Sequence, residues 1–275
     1  MEYIEENIRG EVSYLKLNNP KKMNCLSAEL CLELIEALRR AYDSKCKAVA
    51  VGANVNRNVW SAGHDIRELP TDNSDPLEYR VPMERLLRIV QMIPIPVIAC
   101  VDGTVWGGAC DFCLSCDMIV ASTTSSFAIT PAKIGIPYNA SGIMHFVNQL
   151  GINKAREMFF TAAQISAQDA LNVGLVNHIA DSGKLDEMLE ERILNPIRRN
   201  SILSISAIKR QFRIFSKGMS KLSPEEFEHI EAWRSIVYHS EDYIEGINSF
   251  LEKREPHFKG TAKDLDISQS DLDII

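Results

Sequence analysis

The strongest constraint on the fold is a layout that occurs twice: a short apolar run followed by a glycine-rich turn. The first turn is Ser61-Ala62-Gly63-His64-Asp65. The second is Asp102-Gly103-Thr104-Val105-Trp106-Gly107-Gly108, which opens a helix. Small residues in such turns let another molecule approach the main chain closely. The Gly108 amide falls at a helix N-terminus, where free N–H groups and the dipole favour negative charge. The His64 amide can aim at the same point, and two such donors make an oxyanion hole. Glycines after strands are usually only turns, so spacing alone leaves both readings open.

The surrounding pattern is mixed α/β. Val12–Leu17 reads as a strand ended by Asn18-Asn19-Pro20, and Ser27 caps a helix to about Tyr42 with Leu30, Leu34, Ile35 and Leu38 on one face. Ala48–Ala53 and Val97–Val101 read as short buried strands. Between them, Leu77–Met92 has helical spacing, stopped by Pro94 and Pro96. Gly103–Gly108 reads as a turn, Ala109–Ser115 as a short helix, and Met118–Ala121 and Ser126–Thr130 as strands. From Ser141 the pattern becomes helical, with a short helix from Ser166 to Gly174. Ser223, Pro224 and Glu226 form a helix start: cap, first-turn proline and capping-box glutamate. No clear internal repeat is visible.

Composition excludes several classes. Thirty Lys+Arg against 37 Asp+Glu give a net charge of −7, which argues against nucleic-acid binding. No apolar run is long enough to span a membrane, and the acidic start resembles no signal peptide. Seven cysteines, an odd number, fit a reducing cytoplasm better than a disulfide framework.

Several motifs carry a resemblance. Ser-Ala-Gly-His-Asp-Ile at 61–66 and Asp-Gly-x-x-Trp-Gly-Gly-Ala at 102–109 together resemble the crotonase (enoyl-CoA hydratase/isomerase) superfamily. Asn-Asn-Pro-Lys-Lys-Met-Asn-Cys-Leu-Ser at 18–27 looks like its adenine-loop region, and Phe-Leu-Glu-Lys-Arg-Glu-Pro-His-Phe-Lys-Gly at 250–260 like its C-terminal signature. Ser-Ala-Gly-His-Asp-Ile-x-Glu-Leu-Pro, Trp-Gly-Gly-Ala and Thr-Pro-x-x-x-Gly-x-Pro-Tyr-Asn look most like its methylmalonyl-CoA-decarboxylating branch. The resemblance implies an α/β spiral of ββα units with a C-terminal helical oligomerisation region. It divides the chain into a core at 1–199 that binds acyl-CoA, a helical trimerisation region at 200–260, and a mobile acidic tail at 261–275. It implies an acyl-CoA thioester whose carbonyl oxygen is held by the amides of His64 and Gly108. Lys22, Ala62 and Ile66 would lie by the adenine, and Phe250 and Lys253 would reach the nucleotide end, often from a neighbouring subunit. Lys21 and Arg254 are further charge partners for the phosphates.

The expected reaction follows from the acid–base residues. Hydratases of the superfamily carry two glutamates. The first position holds Asp111 here, and the second falls near Pro131, where no carboxylate stands. Decarboxylation of a malonyl-type thioester needs only a held enolate oxygen and a proton. Tyr138, in Gly-Ile-Pro-Tyr-Asn, matches the tyrosine of the decarboxylating branch, and the His64 ring is a second candidate. The first reading is therefore conversion of methylmalonyl-CoA to propionyl-CoA and CO2 without metal or other cofactor, CoA being part of the substrate. An enoyl-CoA isomerase or weak hydratase using Asp111 is the alternative within enzymes, and a non-catalytic acyl-CoA-binding oligomer the alternative outside them.

Other residues have plainer readings. Asp111 could serve only the helix dipole. Cys110, Cys113 and Cys116 recur at helical spacing and read as packed thiols rather than metal ligands. Trp106 reads as a packing or acyl-pocket residue. His145, His178, His229, His239 and His257 sit in no motif and receive no role. Lys209–Arg213 reads as a solvated helix face. Residues 200–250 carry apolar faces, including Ile202, Ile205, Ile208, Phe212, Phe227, Ile230, Trp233 and Val237, that exceed what one core can bury. A homotrimer or a dimer of trimers is expected.

Overall fold

The computed structural model describes residues 2–260 except 71, 73, 79 and 219–223. The chain opens with an antiparallel hairpin of β1 (Ile4–Arg9) and β2 (Val12–Leu17), then α1 (Ala28–Asp43). One unit then occurs three times: β3 (Ala48–Ala53), β4 (Val59–Ser61) and α2 (Pro82–Met92); β5 (Val97–Val101), β6 (Thr104–Trp106) and α3 (Gly108–Ser115); β7 (Met118–Ser122), β8 (Ser126–Ala128) and α4 (Ala140–Thr161). After β9 (Ile165–Ser166), α5 (Ala167–Asn172) and β10 (His178–Ala180) come α6 (Leu185–Leu189) and α7 (Asn195–Arg199). The helices α8 (Ile202–Gly218), α9 (Pro224–Tyr238) and α10 (Glu241–Glu252) follow.

The first strand of each unit joins a six-stranded sheet in the order β1-β2-β3-β5-β7-β10, and the second joins a four-stranded sheet, β4-β6-β8-β9. This is the spiral of ββα units that the resemblance implied. The large sheet is parallel from β2 to β10, and its strands Ala48–Val51 and Val97–Ala99 are fully buried, as in any parallel sheet covered on both faces. Helix α1 lays Leu30, Leu34, Ile35 and Leu38 into that core, and the Ser27 hydroxyl accepts from the Leu30 amide at 3.3 Å.

Sequence and structure differ in places. Helix α2 begins at Pro82 rather than at Leu77, because the proline's fixed φ and missing N–H suit the first helical turn. The stretch 103–108 is not all turn, since Thr104–Trp106 pairs with both β4 and β8. Strand β1, half exposed and charged, lacks the alternation that would have revealed it. Lys209 is not solvated. It is buried, and its ammonium donates to the carbonyls of Val90 and Ile95 at 3.0 Å each and to Asp117 Oδ2 at 2.6 Å. The long aliphatic stem lets α8 lie on the core while the charge finds partners among strand and helix ends. Pro224 opens α9 as expected, whereas Ser223, the side chain of Phe227, and the tail at 261–275 lie outside the described residues. No helix among the described residues is long and apolar enough to cross a membrane.

Candidate active site

Strands β4 and β6 are parallel neighbours, with Ser61 opposite Val105, so the turns that follow them leave the small sheet at the same end. The turns touch through their glycines. Gly63 has φ +84°, and a Cβ there would lie 2.4 Å from the Trp106 carbonyl oxygen and 3.0 Å from the Gly108 nitrogen. A Cβ on Gly108 would lie 3.6 Å from the His64 nitrogen and 2.3 Å from Met83 Cε. At Gly63 only glycine fits, because the clash is with backbone, whereas at Gly108 the flexible end of Met83 would have to move. The amides of His64 and Gly108 are thereby brought together, and neither donates to a protein acceptor among the described residues. Buried N–H groups are nearly always paired, so two adjacent free ones mark a place for an oxygen from elsewhere.

The first turn is fixed from behind. Buried Asn24 donates to the carbonyls of Asn54 and Trp60, the Ser61 hydroxyl donates to the Asn24 carbonyl at 2.7 Å, and the Ala62 amide donates to the Met23 carbonyl at 2.9 Å. Ala62 and exposed Lys22 are thus held near one another. Ile66 packs with Leu69, Tyr243 and Ile247, so α10 of the same chain reaches this region. Phe250, at the end of α10, and Lys253, in left-handed conformation just after it, are exposed. Arg254 is engaged by both oxygens of Glu245 and by Glu252. Trp106 is half-buried, its indole N–H given to Thr104 Oγ1 at 2.9 Å.

Asp111 lies one turn into α3 from Gly108 and is completely buried. Its Oδ2 accepts from the Tyr138 hydroxyl at 2.9 Å, and its Oδ1 lies 2.5 Å from Nδ1 of His145 on α4. His145 Nε2 is 2.8 Å from Gln91 Nε2. Burial alone would lower the His145 pKa, but the charge and hydrogen bond of Asp111, with Glu84 behind them, leave it raised. Burial and Asp111 push the Tyr138 hydroxyl well above its ordinary range, and its proton already points at Asp111. The His64 ring goes the other way: burial lowers its pKa, so the imidazole is neutral near pH 7, with Nδ1 3.1 Å from the Asp65 carbonyl.

A second carboxylate stands in the same cluster. Glu84 is 7% exposed, and Asn139 Nδ2 donates to its Oε1 at 2.9 Å. Burial, then the Asp111 charge, push its pKa up to about 7, against opposing pulls from Asn139, His145 and Arg88. Sequence reasoning missed Glu84 and His145. Glu84 had a signal, because its neighbours at helical spacing, Met83 and Leu87, place a carboxylate on the buried face of α2. His145 had none, since its pairing with Asp111 depends on how α4 crosses α3.

At the far end of α3 from Gly108 lies a cavity of about 940 Å³, lined by Gln91, Ser115, His145, Lys209 and Phe212 among others. It shares His145 with the cluster but neither oxyanion amide. Cys110, Cys113 and Cys116 are buried in the core, and burial raises all three thiols, so they stay protonated.

The family model for enoyl-CoA hydratase/isomerase matches residues 7–261. Methylmalonyl-CoA decarboxylase of Escherichia coli is 37% identical, over 94% of this chain and 98% of its own length. A solved structure of methylmalonyl-CoA decarboxylase in complex with 2-nitronate-propionyl-CoA superposes with a TM-score of 0.91 at 37% identity, covering 94% of this chain and 99% of that one. More distant is a trans-2-decenoyl-[acyl-carrier-protein] isomerase of Streptococcus mutans, 26% identical over 92% of this chain and 97% of its own length.

Proposed function

The chain belongs to the enoyl-CoA hydratase/isomerase family, and from that premise we propose that it decarboxylates methylmalonyl-CoA, or a close malonyl thioester, to the shortened acyl-CoA and CO2. The observation that carries the reading is the pair of free amides at His64 and Gly108, in a chain so similar to a methylmalonyl-CoA decarboxylase. The thioester oxygen sits between the two N–H groups. As the bond from Cα to the carboxylate carbon breaks, its electron pair moves into the thioester and charge collects on that oxygen. Each preorganised donor is worth about 3 kcal/mol of barrier. The pocket must also turn the leaving carboxylate out of the thioester plane, a positioning task. The electron sink is the substrate's own thioester, so the reading requires no cofactor beyond CoA.

The state of Asp111 favours this reading over hydration or isomerisation. Both its oxygens are engaged, one by Tyr138 and one by His145, so it is poorly placed to activate water. The Tyr138 hydroxyl gives its proton to Asp111 and turns its oxygen lone pairs elsewhere. It thus serves to shape the acyl site rather than as a ready acid. In this reading Lys22, Ala62, Ile66, Trp106, Phe250 and Lys253 form the CoA and acyl surface. The protein works as a homotrimer or a dimer of trimers, and its seven free thiols support a reducing cytoplasm.

The test is a mass-spectrometric screen of acyl-CoAs with pure protein, without biotin, nucleotide or added metal. Methylmalonyl-CoA is expected to yield propionyl-CoA, with crotonyl-CoA hydrated far more slowly. Tyr138→Phe should slow CO2 release by about tenfold or more, since Asp111 loses one of two partners. Fast crotonyl-CoA hydration with methylmalonyl-CoA untouched would overturn the reading. Binding without turnover of any thioester would leave the acyl-CoA-binding oligomer.

A further inference from the structure

We propose that Glu84 is the acid that hands a proton to the enolate carbon once CO2 has left, with Asn139 as its positioning partner; the inference rests on the decarboxylase reading above. The enolate of propionyl-CoA must gain one proton at Cα, and the groups that the sequence suggests for this are badly disposed. The Tyr138 proton is committed to Asp111 and is hard to remove. The His64 ring is neutral and its Nδ1 is turned to a carbonyl. His145 stands behind Asp111, where it lines the cavity at the far end of α3.

Glu84 is placed differently. It follows Met83, whose side chain lies against Gly108 at the oxyanion hole. It is buried, bonded by Asn139 and close enough to Asp111 of α3 to feel its charge. Asn139, which also caps α4 by accepting from the Gly142 amide, holds Oε1. Oε2 makes no hydrogen bond among the described residues, so a carboxyl proton there is not committed to another protein group. The groups facing Glu84 are Asp111 from α3, His145 and Asn139 from α4 and its cap, and Arg88 on its own helix. The Asp111 charge disfavours a second negative charge on Glu84 beside it. That arrangement, with burial, keeps Glu84 substantially protonated at neutral pH.

The step balances. The Glu84 O–H bond breaks and a Cα–H bond forms from the enolate electron pair. Negative charge passes from the thioester oxygen to the Glu84 carboxylate, which regains a proton from water before the next turnover.

Turnover of methylmalonyl-CoA in D2O tests this, with the configuration at C2 of the deuterated propionyl product read by NMR after conversion to a chiral ester. The wild-type protein should give one configuration. Glu84→Gln keeps the Asn139 contact but has no transferable proton. It should still release CO2, slowed by no more than about tenfold, while giving both configurations. A purely structural role would lower the amount of active protein and leave the configuration intact. A second measurement needs no variant: exchange of the α-hydrogens of propionyl-CoA with D2O should rise with pH, with a midpoint near the Glu84 value of about 7, because the carboxylate is the base in reverse. A single configuration from Glu84→Gln, or exchange that is flat from about pH 5 to about 9, overturns the role of Glu84. Absence of CO2 release from methylmalonyl-CoA by the wild-type protein instead overturns the decarboxylase reading itself.

Discussion

Gly63 shows how much one missing Cβ can decide. A methyl group there meets the Trp106 carbonyl at 2.4 Å in a conformation with φ +84°. Gly63→Ala must therefore push the two turns apart and misplace one oxyanion donor. The expected result is a kcat lower by about 10²-fold with an unchanged circular dichroism spectrum. The neighbouring charge cluster makes a pH prediction. The His145 pKa is raised in the folded protein, so its stabilisation is complete below the unfolded value of about 6.5 and fades as pH rises through the folded value. Glu84 also holds its proton more tightly when folded, so its contribution is lost as pH rises through about 7. Both act in one direction. The melting temperature should fall by roughly 3 °C or more between about pH 6 and about 8, and His145→Gln should melt lower than wild type by a margin that narrows over the same range. A wild-type protein that grows more stable across that interval would refute the assignment.

At the scale of elements, α8 is secured by a residue that its own pattern describes poorly. Lys209 ties it to the end of α2, to the turn before β5 and to Asp117. Lys209→Met would preserve the packing of the stem but leave Asp117 and two carbonyls without their cation. Leaving these acceptors without their donor costs about 1–3 kcal/mol, which urea unfolding should register as a lower midpoint. Two measurements should stay near wild type: the configuration of the deuterated product and the KM for methylmalonyl-CoA. Glycine works at this scale as well. A Cβ on Gly246 of α10 would lie 2.2 Å from the Ile134 carbonyl oxygen, so this position lets α10 close over the turn at 131–136. Tyr243 and Ile247 then pack with Ile66 beside the proposed CoA surface.

At the scale of the whole molecule, α8 leaves Leu203, Phe212, Ile214 and Phe215 more than 60% exposed. An apolar face of that kind on a single chain is ordinarily covered by another copy. Sedimentation should give a trimer or a multiple of it at micromolar protein, and Phe212→Glu with Phe215→Glu should shift the distribution to monomer. A stable wild-type monomer would show that the face has another use. Ile205, counted with these residues from the sequence, instead packs partly into the core beneath the large sheet. A periodic pattern shows that a helix has an apolar face without showing how much of it neighbouring elements cover.

The division between what was legible and what was not follows from range. The strands Val12–Leu17, Ala48–Ala53 and Val97–Val101, the Ser27 cap and the two glycine turns are written in local residue types. Propensity, periodicity and left-handed backbone demands act over a few residues. Those features, with the crotonase motifs, were enough to place the His64 and Gly108 amides in one hypothesis. The pairing of β4 with β6, which makes the amides converge, depends on strands more than 40 residues apart in sequence. The cluster of Glu84, Asp111, Tyr138 and His145 draws on α2, α3, α4 and the segment before α4, and no local signal joins them. Burial and charge are properties of the space around a side chain. Whether Glu84 is an ordinary surface carboxylate or an acid near neutrality, and whether Lys209 is solvated or anchored, was decided only when distant segments packed against them.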